Sequence, residues 1–316
     1  MTSRIIGIDR NTFYGLSAIL LWSTTVALAR SIGEQIGPLT AGASVYLAAG
    51  SVFVLHAVLD KHFTRRLKNL PPLYLFGCGA LFLIYTIALF IGLGLAANRH
   101  QAIEVGLVNY LWPALTILLS LFILSKRARF GLIPGTVLAV YGVFVVLTQG
   151  SSVSWKSFST NFASNPMAYG LGLVAAVSWA LYSNLARRWA ETDGDGAVPL
   201  FLLVTGLALL LMRLLHPEQG VYSVRVAAEI VFMGMATALA YVLWDIAMRK
   251  GDVVFVAACS YLTPFFSTVV SCIYLKVVPS QSLLFGCLLI IIGSIMSWRS
   301  VDDKEPAEST RQPVPE

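Results

Sequence analysis

The sequence predicts an all-α membrane protein: ten transmembrane helices arranged as two inverted five-helix repeats. Three observations carry that prediction. Only 12% of the 316 residues are charged while 57% are hydrophobic, and the mean hydropathy is +0.76, against roughly 25% charged residues in ordinary soluble domains. Ten apolar runs each approach the length of about 20 residues that spans a hydrocarbon core. Two of those runs carry twin stretches 151 positions apart, Asn109-Tyr110-Leu111-Trp112-Pro113 and Ser260-Tyr261-Leu262-Thr263-Pro264.

The first run, 11–29, follows Arg4 and Arg10 and ends in the small residues Ala27-Leu28-Ala29, which is also the pattern of a secretory signal. Its repetition inside the chain argues against that reading. Tyr14 to Arg30 aligns without gaps on Leu171 to Arg187, matching Gly15 with Gly172, Trp22 with Trp179 and Arg30 with Arg187. Runs 38–59, 72–97, 101–124 and 131–149 complete the first half. A stretch rich in Ser and Asn, from Gly150 to Pro166, is expected to be the loop that joins the halves. Runs 167–186, 197–215, 226–248, 253–275 and 280–298 form the second half. At an offset of 151, Thr86 meets Thr237, Pro113 meets Pro264, Gly135 meets Gly286 and Gly142 meets Gly293. Five spans per half is an odd number, so the halves enter the membrane from opposite sides. The expected units are therefore 1–150, 151–300 and a disordered tail, 301–316, with prolines at 306, 313 and 315.

Sixteen of the 22 lysines and arginines fall at the termini or in loops on the same side, densest at Lys61, Arg65, Arg66, Lys68 and at Lys126, Arg127, Arg129. By the positive-inside rule both termini are cytoplasmic, and the basic clusters are orientation signals rather than nucleic-acid sites.

Pro113 and Pro264 lack the N–H that would bond the carbonyls of Asn109 and Ser260. At membrane depth such groups must be met by protein, water or a bound solute. Polar residues continue from each break along one helical face, through Thr116 and Ser120 in the first half and Thr263, Ser267 and Ser271 in the second. Of these, Thr116, Ser120 and Ser271 are read as helix-packing groups. Tyr85, Tyr110, Trp112, Trp179, Tyr182 and Tyr261 lie deep in their runs, whereas Trp155, Trp189, Trp298 and Tyr169 sit near the ends, as interfacial anchors do. The candidate substrate-binding residues are thus Tyr85, Asn109, Tyr110, Trp112, Trp179, Tyr182, Ser260 and Tyr261, with Pro113 and Pro264 as the helix breaks.

No Asp, Glu, Lys or Arg falls near the middle of a run. Glu104, Glu229, Asp245, Arg30 and Arg213 are toward the ends, where long side chains are expected to snorkel. A membrane without a central carboxylate implies weak or no coupling to protons. Cys78, Cys259, Cys272 and Cys287 read as small buried hydrophobes, and His56, His62, His100 and His216 have no metal-ligand spacing. No catalytic group, metal or cofactor is expected. The paired glycines of the fifth and tenth runs are expected to mark close helix contacts.

With these residues in view, the chain resembles the EamA-type branch of the drug/metabolite transporter superfamily over about 11–298. Gly15-Leu16, Ala18 and Trp22, their counterparts Gly172-Leu173, Ala175 and Trp179, and Ser260-Tyr261-Leu262-x-Pro264 carry the resemblance. Asn109-Tyr110-Leu111-Trp112-Pro113 is similar, more narrowly, to YddG-type amino acid exporters. The Gly-Glu-Arg segment common in the branch is replaced by Ser125-Lys126-Arg127 and Lys276-Val277-Val278. The resemblance implies an exporter of neutral, bulky or aromatic amino acids in a bacterial inner membrane, working by alternating access. The lipid bilayer is its expected surrounding, a monomer is the default expectation, and no nucleic-acid partner is expected. It also implies a central cavity lined by the first, third, fourth, sixth, eighth and ninth helices, with the fifth and tenth peripheral. An exporter of nucleosides or drug-like metabolites is the alternative, and a membrane-embedded enzyme or a pore stands behind it.

Overall fold

A computed structural model describes residues 9–60, 62–148, 155–190, 196–275 and 281–302. Helix occupies all ten apolar runs. The first half contains α1 (Arg10–Ile36), α2 (Pro38–Leu59), the short α3 (Phe63–Lys68), a π-helical turn (Leu73–Cys78) leading into α4 (Gly79–Gly94), α5 (Arg99–Asn109), α6 (Trp112–Ile123) and α7 (Leu132–Thr148). After α8 (Trp155–Ser164), the second half contains α9 (Pro166–Trp189), α10 (Val198–Leu215), α11 (Val224–Lys250), α12 (Val253–Ser260), α13 (Thr263–Leu275) and α14 (Gln281–Arg299).

Local chemistry explains the boundaries. Asp9 caps α1 by accepting from the Thr12 N–H at 2.8 Å. Gly37, at φ 87°, turns the chain into α2, whose Pro38 sits at the first helical position where no donor is lost. The two internal prolines break their helices: α5 stops at Asn109 before α6 begins, and α12 meets α13 at a bend of 44°.

Among the described residues six helical spans are long and apolar enough to cross a membrane, or seven if α12 and α13 form one bent span. The chain is thus a multi-pass membrane protein. α1 and α9 fall outside that number although they are 27 and 24 residues long. α9 buries Ser178, Ser183 and Asn184, and α1 buries Thr12, Ser23 and Thr25, so these polar side chains face protein rather than lipid. α7 is short, at 17 residues.

Four expectations change. The joining stretch is not all loop, because α8 lies within it; Ser157 and Asn161, one helical turn apart, both bond Glu104. Glu104 and Asp245 do not snorkel: they are 0% and 1% exposed, and both are met by several donors inside the bundle. Tyr169, expected as an interfacial anchor, is buried with its hydroxyl on Glu104, and Trp298 packs into an apolar core. Of the expected tail, Val301–Asp302 pairs antiparallel with Arg127–Ala128, and 303–316 lie outside the described residues.

Helix α1 packs on α11, α4 on α9, α2 on α10, and α7 on α14. The last contact depends on glycine: a Cβ on Gly293 would stand 2.4 Å from the Ala139 nitrogen, and one on Gly142 would stand 2.8 Å from the Gly286 oxygen. The larger apolar core lies among α1, α4, α9, α10 and α11; a second lies among α6, α7, α12 and α14.

Candidate functional site

A cavity of about 420 Å³ runs into the larger core. Its lining includes Ala29 and Leu93, both exposed and both toward the helix ends opposite the basic loops. Residues from α1, α2, α4, α5, α6, α9, α11 and α13 form its wall. α7 and α14 contribute nothing to it, as expected of the peripheral pair, while α2 adds Val45 and Tyr46, which had not been expected.

The proline break shapes the wall. Asn109 ends α5, Tyr110 and Leu111 cross the break and Trp112 starts α6, so three side chains from one short segment reach the same cavity. Asn109 is 8% exposed and its Oδ1 accepts no hydrogen bond from the protein among the described residues. Tyr85 from α4 lines the wall beside it, and the hydroxyls of Tyr46 and Tyr241 pair across the cavity wall at 3.1 Å. No Asp, Glu, Lys or Arg lines the cavity among the described residues.

Rings close the inner end. Trp179 meets Tyr85 at 4.7 Å, Trp112 at 6.3 Å and Trp244 at 6.0 Å between centroids. Phe82 meets Tyr241 at 4.9 Å and Tyr182 at 5.7 Å. Mostly edge-to-face or tilted, these contacts suit the ring quadrupoles and leave a packed floor.

Beyond the floor, toward the basic loops, Asp245 collects four hydrogen bonds. Tyr74 Oη donates to its two oxygens at 3.0 and 3.1 Å, Tyr182 Oη to Oδ1 at 2.9 Å, and Arg249 Nε to Oδ2 at 2.7 Å. The Ala197 N–H donates to Tyr74 Oη at 3.1 Å, and Arg187 Nη1 to the Arg249 carbonyl at 2.5 Å. One carboxylate thus joins the start of the third span to α9, α11 and the turn before α10.

Of the eight sequence candidates, Tyr85, Asn109, Tyr110, Trp112 and Trp179 share the cavity. Tyr182 lies below the floor on Asp245. Ser260 is fully buried, with its hydroxyl on the Ala257 carbonyl at 2.6 Å, and Tyr261 packs in the second core. The twin stretches are therefore alike in their break but not in what they line: at the second, Thr263 reaches the cavity and also donates to the Ser260 carbonyl at 2.7 Å, meeting the group that Pro264 leaves open. Thr116 and Ser120 bond carbonyls of their own helix, in keeping with packing groups. The Ser271 side chain lies outside what is described.

Sequence reasoning passed over Trp22, Tyr46, Tyr241 and Trp244. For Trp22 a signal was present, because the repeat aligns it with Trp179. Tyr46 and Tyr241 carried none, since a tyrosine within an apolar run does not show which helix its face meets. His/Cys/Asp/Glu groups able to hold a metal are absent among the described residues.

The profile of the EamA-like transporter family matches residues 11–148 and again 166–299. The chain is similar to the aromatic amino acid exporter YddG of Escherichia coli (strain K12), 33% identical over 92% of this chain and 97% of that one. It is similar to the aromatic amino acid exporter YddG of Ancylobacter novellus as well, 30% identical over 90% of this chain and 96% of that one. A solved crystal structure superposes with a TM-score of 0.75, at 29% identity, over 92% of this chain and 98% of that one.

Proposed function

The chain belongs to the EamA-like transporter family, and we propose that it exports neutral, bulky or aromatic amino acids across a bacterial inner membrane by alternating access. One observation carries the substrate class: a ring-lined cavity without charged side chains among the described residues, holding a buried amide oxygen, Asn109 Oδ1, that has no donor. An unmet buried acceptor costs about 1–3 kcal/mol. The ammonium of an amino acid supplies the missing donor, while its side chain lies among Tyr85, Tyr110, Trp112 and Trp179, each ring contact worth about 0.5–1.5 kcal/mol. A cavity of 420 Å³ is within the range of about 300–1,000 Å³ typical of small-molecule sites. A charged side chain would find no counter-ion there, which disfavours acidic and basic amino acids. The aromatic amino acid exporters to which the chain is similar agree with this class.

We read the fold as ten spans in two inverted five-helix repeats. The family profile matches twice, and the packing partners exchange between halves: α1 with α11 answers α4 with α9, and α1 with α13 answers α6 with α9. With the basic loops in the cytosol, both termini are cytoplasmic and the cavity faces away from the cell interior. The Asp245 network and the ring floor then form the closed inner side. The cavity has no carboxylate among the described residues and Asp245 is bound to Arg249, so this reading includes weak or no proton coupling.

Replacing Asn109 with Leu, which is close in volume and has no acceptor, tests the reading. Phenylalanine flux into proteoliposomes is expected to fall about tenfold, the scale of one hydrogen bond to a charged group, with the melting temperature kept. Unchanged flux in Asn109→Leu would overturn the role given to the amide.

A further inference from the structure

A second cavity, of about 450 Å³, opens at the basic end of the bundle, and the Asp245–Arg249 pair stands in its wall. We propose that this pair is a loading site for the zwitterion: an α-amino acid arriving from the basic end places its ammonium on Asp245 and its carboxylate on Arg249, replacing each partner by the substrate. The proposal rests on the amino acid exporter reading and goes beyond the ring-lined cavity.

The geometry supplies the reasons. Asp245 and Arg249 side chains are 2% and 3% exposed and bonded at 2.7 Å. Separating a buried pair strands two charges in a poor solvent, which costs far more than the pair contributes. A zwitterion is the small-molecule class that brings both signs at once, so the two protein charges part without either being left alone. Amines and carboxylic acids bring only one sign and leave the other unmet.

The same pair holds shut the elements that must separate if the basic end is to open. Asp245 binds Tyr74 at the start of the third span and Tyr182 on α9, and Arg249 receives Arg187 of α9 at its carbonyl. Gly196, in the turn before α10, lies so close that a Cβ there would stand 2.5 Å from Asp245 Oδ2 and 3.1 Å from Arg249. Asn11, Tyr14 and His56 give the adjoining cavity a polar lining through which a zwitterion can approach. Occupancy of the pair thus favours the conformation open at the basic end, because the substrate binds that state and not the closed one.

Cys78 is the native reporter. It is 0% exposed and lies one helical turn beyond Tyr74, whose hydroxyl is bonded to Asp245. With Cys259, Cys272 and Cys287 replaced by Ala and the protein in nanodiscs, a polar maleimide reads its exposure. Phenylalanine is expected to speed labelling by about tenfold, an ordinary coupling between a ligand and a two-state element, whereas phenethylamine and 3-phenylpropionate leave it unchanged. The acceleration should persist in Asn109→Ala, where the ring-lined cavity has lost its amide. Equal acceleration by the three compounds, no acceleration by phenylalanine, or its disappearance in Asn109→Ala would each overturn the loading site. Phenylalanine flux by the same cysteine variant in liposomes reports separately on the exporter reading.

Discussion

Trp22 and Trp179, which occupy matching positions in the two halves of the sequence, meet edge to face with ring centroids 5.9 Å apart and planes at 70°. They share the cavity wall, and both reach Trp244, at 5.1 and 6.0 Å. One helix from each half therefore contributes a ring to the same floor. A carrier that rocks its halves must shear this contact, so under the proposed function the aromatic layer would serve both as binding wall and as part of the closed side.

Trp112 gives the sharpest test of ring recognition. It lines the cavity and meets Trp244 edge to face at 5.4 Å. In Trp112→Ala the ratio of phenylalanine to threonine transport is expected to fall by up to about tenfold, the worth of one aromatic pair. Initial rates for the two substrates in one preparation measure that ratio, and equal loss for both would remove Trp112 from recognition.

The Asp245–Arg249 pair should register in stability. Asp245→Asn leaves Arg249 buried without its counter-charge and is expected to cost about 3–5 kcal/mol. The double variant Asp245→Asn, Arg249→Gln should recover part of that loss, since no uncompensated charge remains. Thermal unfolding of the single and double variants in detergent measures the coupling.

Much of this was legible in the sequence, and the reasons are local. A proline cannot continue the hydrogen-bond ladder, so Pro113 and Pro264 mark the breaks, and glycines at equal offsets mark the close α7–α14 contact. What could not be read is tertiary. Whether Asp245 reaches water or folds inward depends on Tyr74, 171 positions earlier, and Tyr182. Ser260 and Tyr261 look like Asn109 and Tyr110 in sequence, yet the cavity is asymmetric: the first break lends it Asn109, Tyr110 and Trp112, the second only Thr263. The short α8 is anchored by Glu104, a contact that composition cannot show.

Gly293→Ala should separate fold from function. The new Cβ would press on the Ala139 backbone at 2.4 Å, and overpacking of this kind costs about 1–3 kcal/mol. A lower melting temperature with an unchanged KM for phenylalanine is expected, because α7 and α14 do not touch the cavity. A shifted KM would mean that this contact also shapes the site.

At the start of α1, the Thr12 N–H holds the Asp9 carboxyl below its ordinary value of 3.8. A depressed carboxyl contributes stability above its unfolded value and loses it as pH falls through the folded one. The first turn of α1 should therefore exchange amide hydrogens more readily, relative to the intrinsic rate, only below about pH 4. In Asp9→Asn, which still caps, that extra acid loosening should be absent.

Flux of labelled phenylalanine, threonine and glutamate into liposomes holding the purified protein, with and without an imposed pH gradient, tests the central claim most directly. Saturable flux of phenylalanine, weaker flux of threonine, none of glutamate, and indifference to the gradient are the expected result. Absence of amino acid flux, or accumulation driven by the gradient, would contradict a neutral amino acid carrier that works without protons.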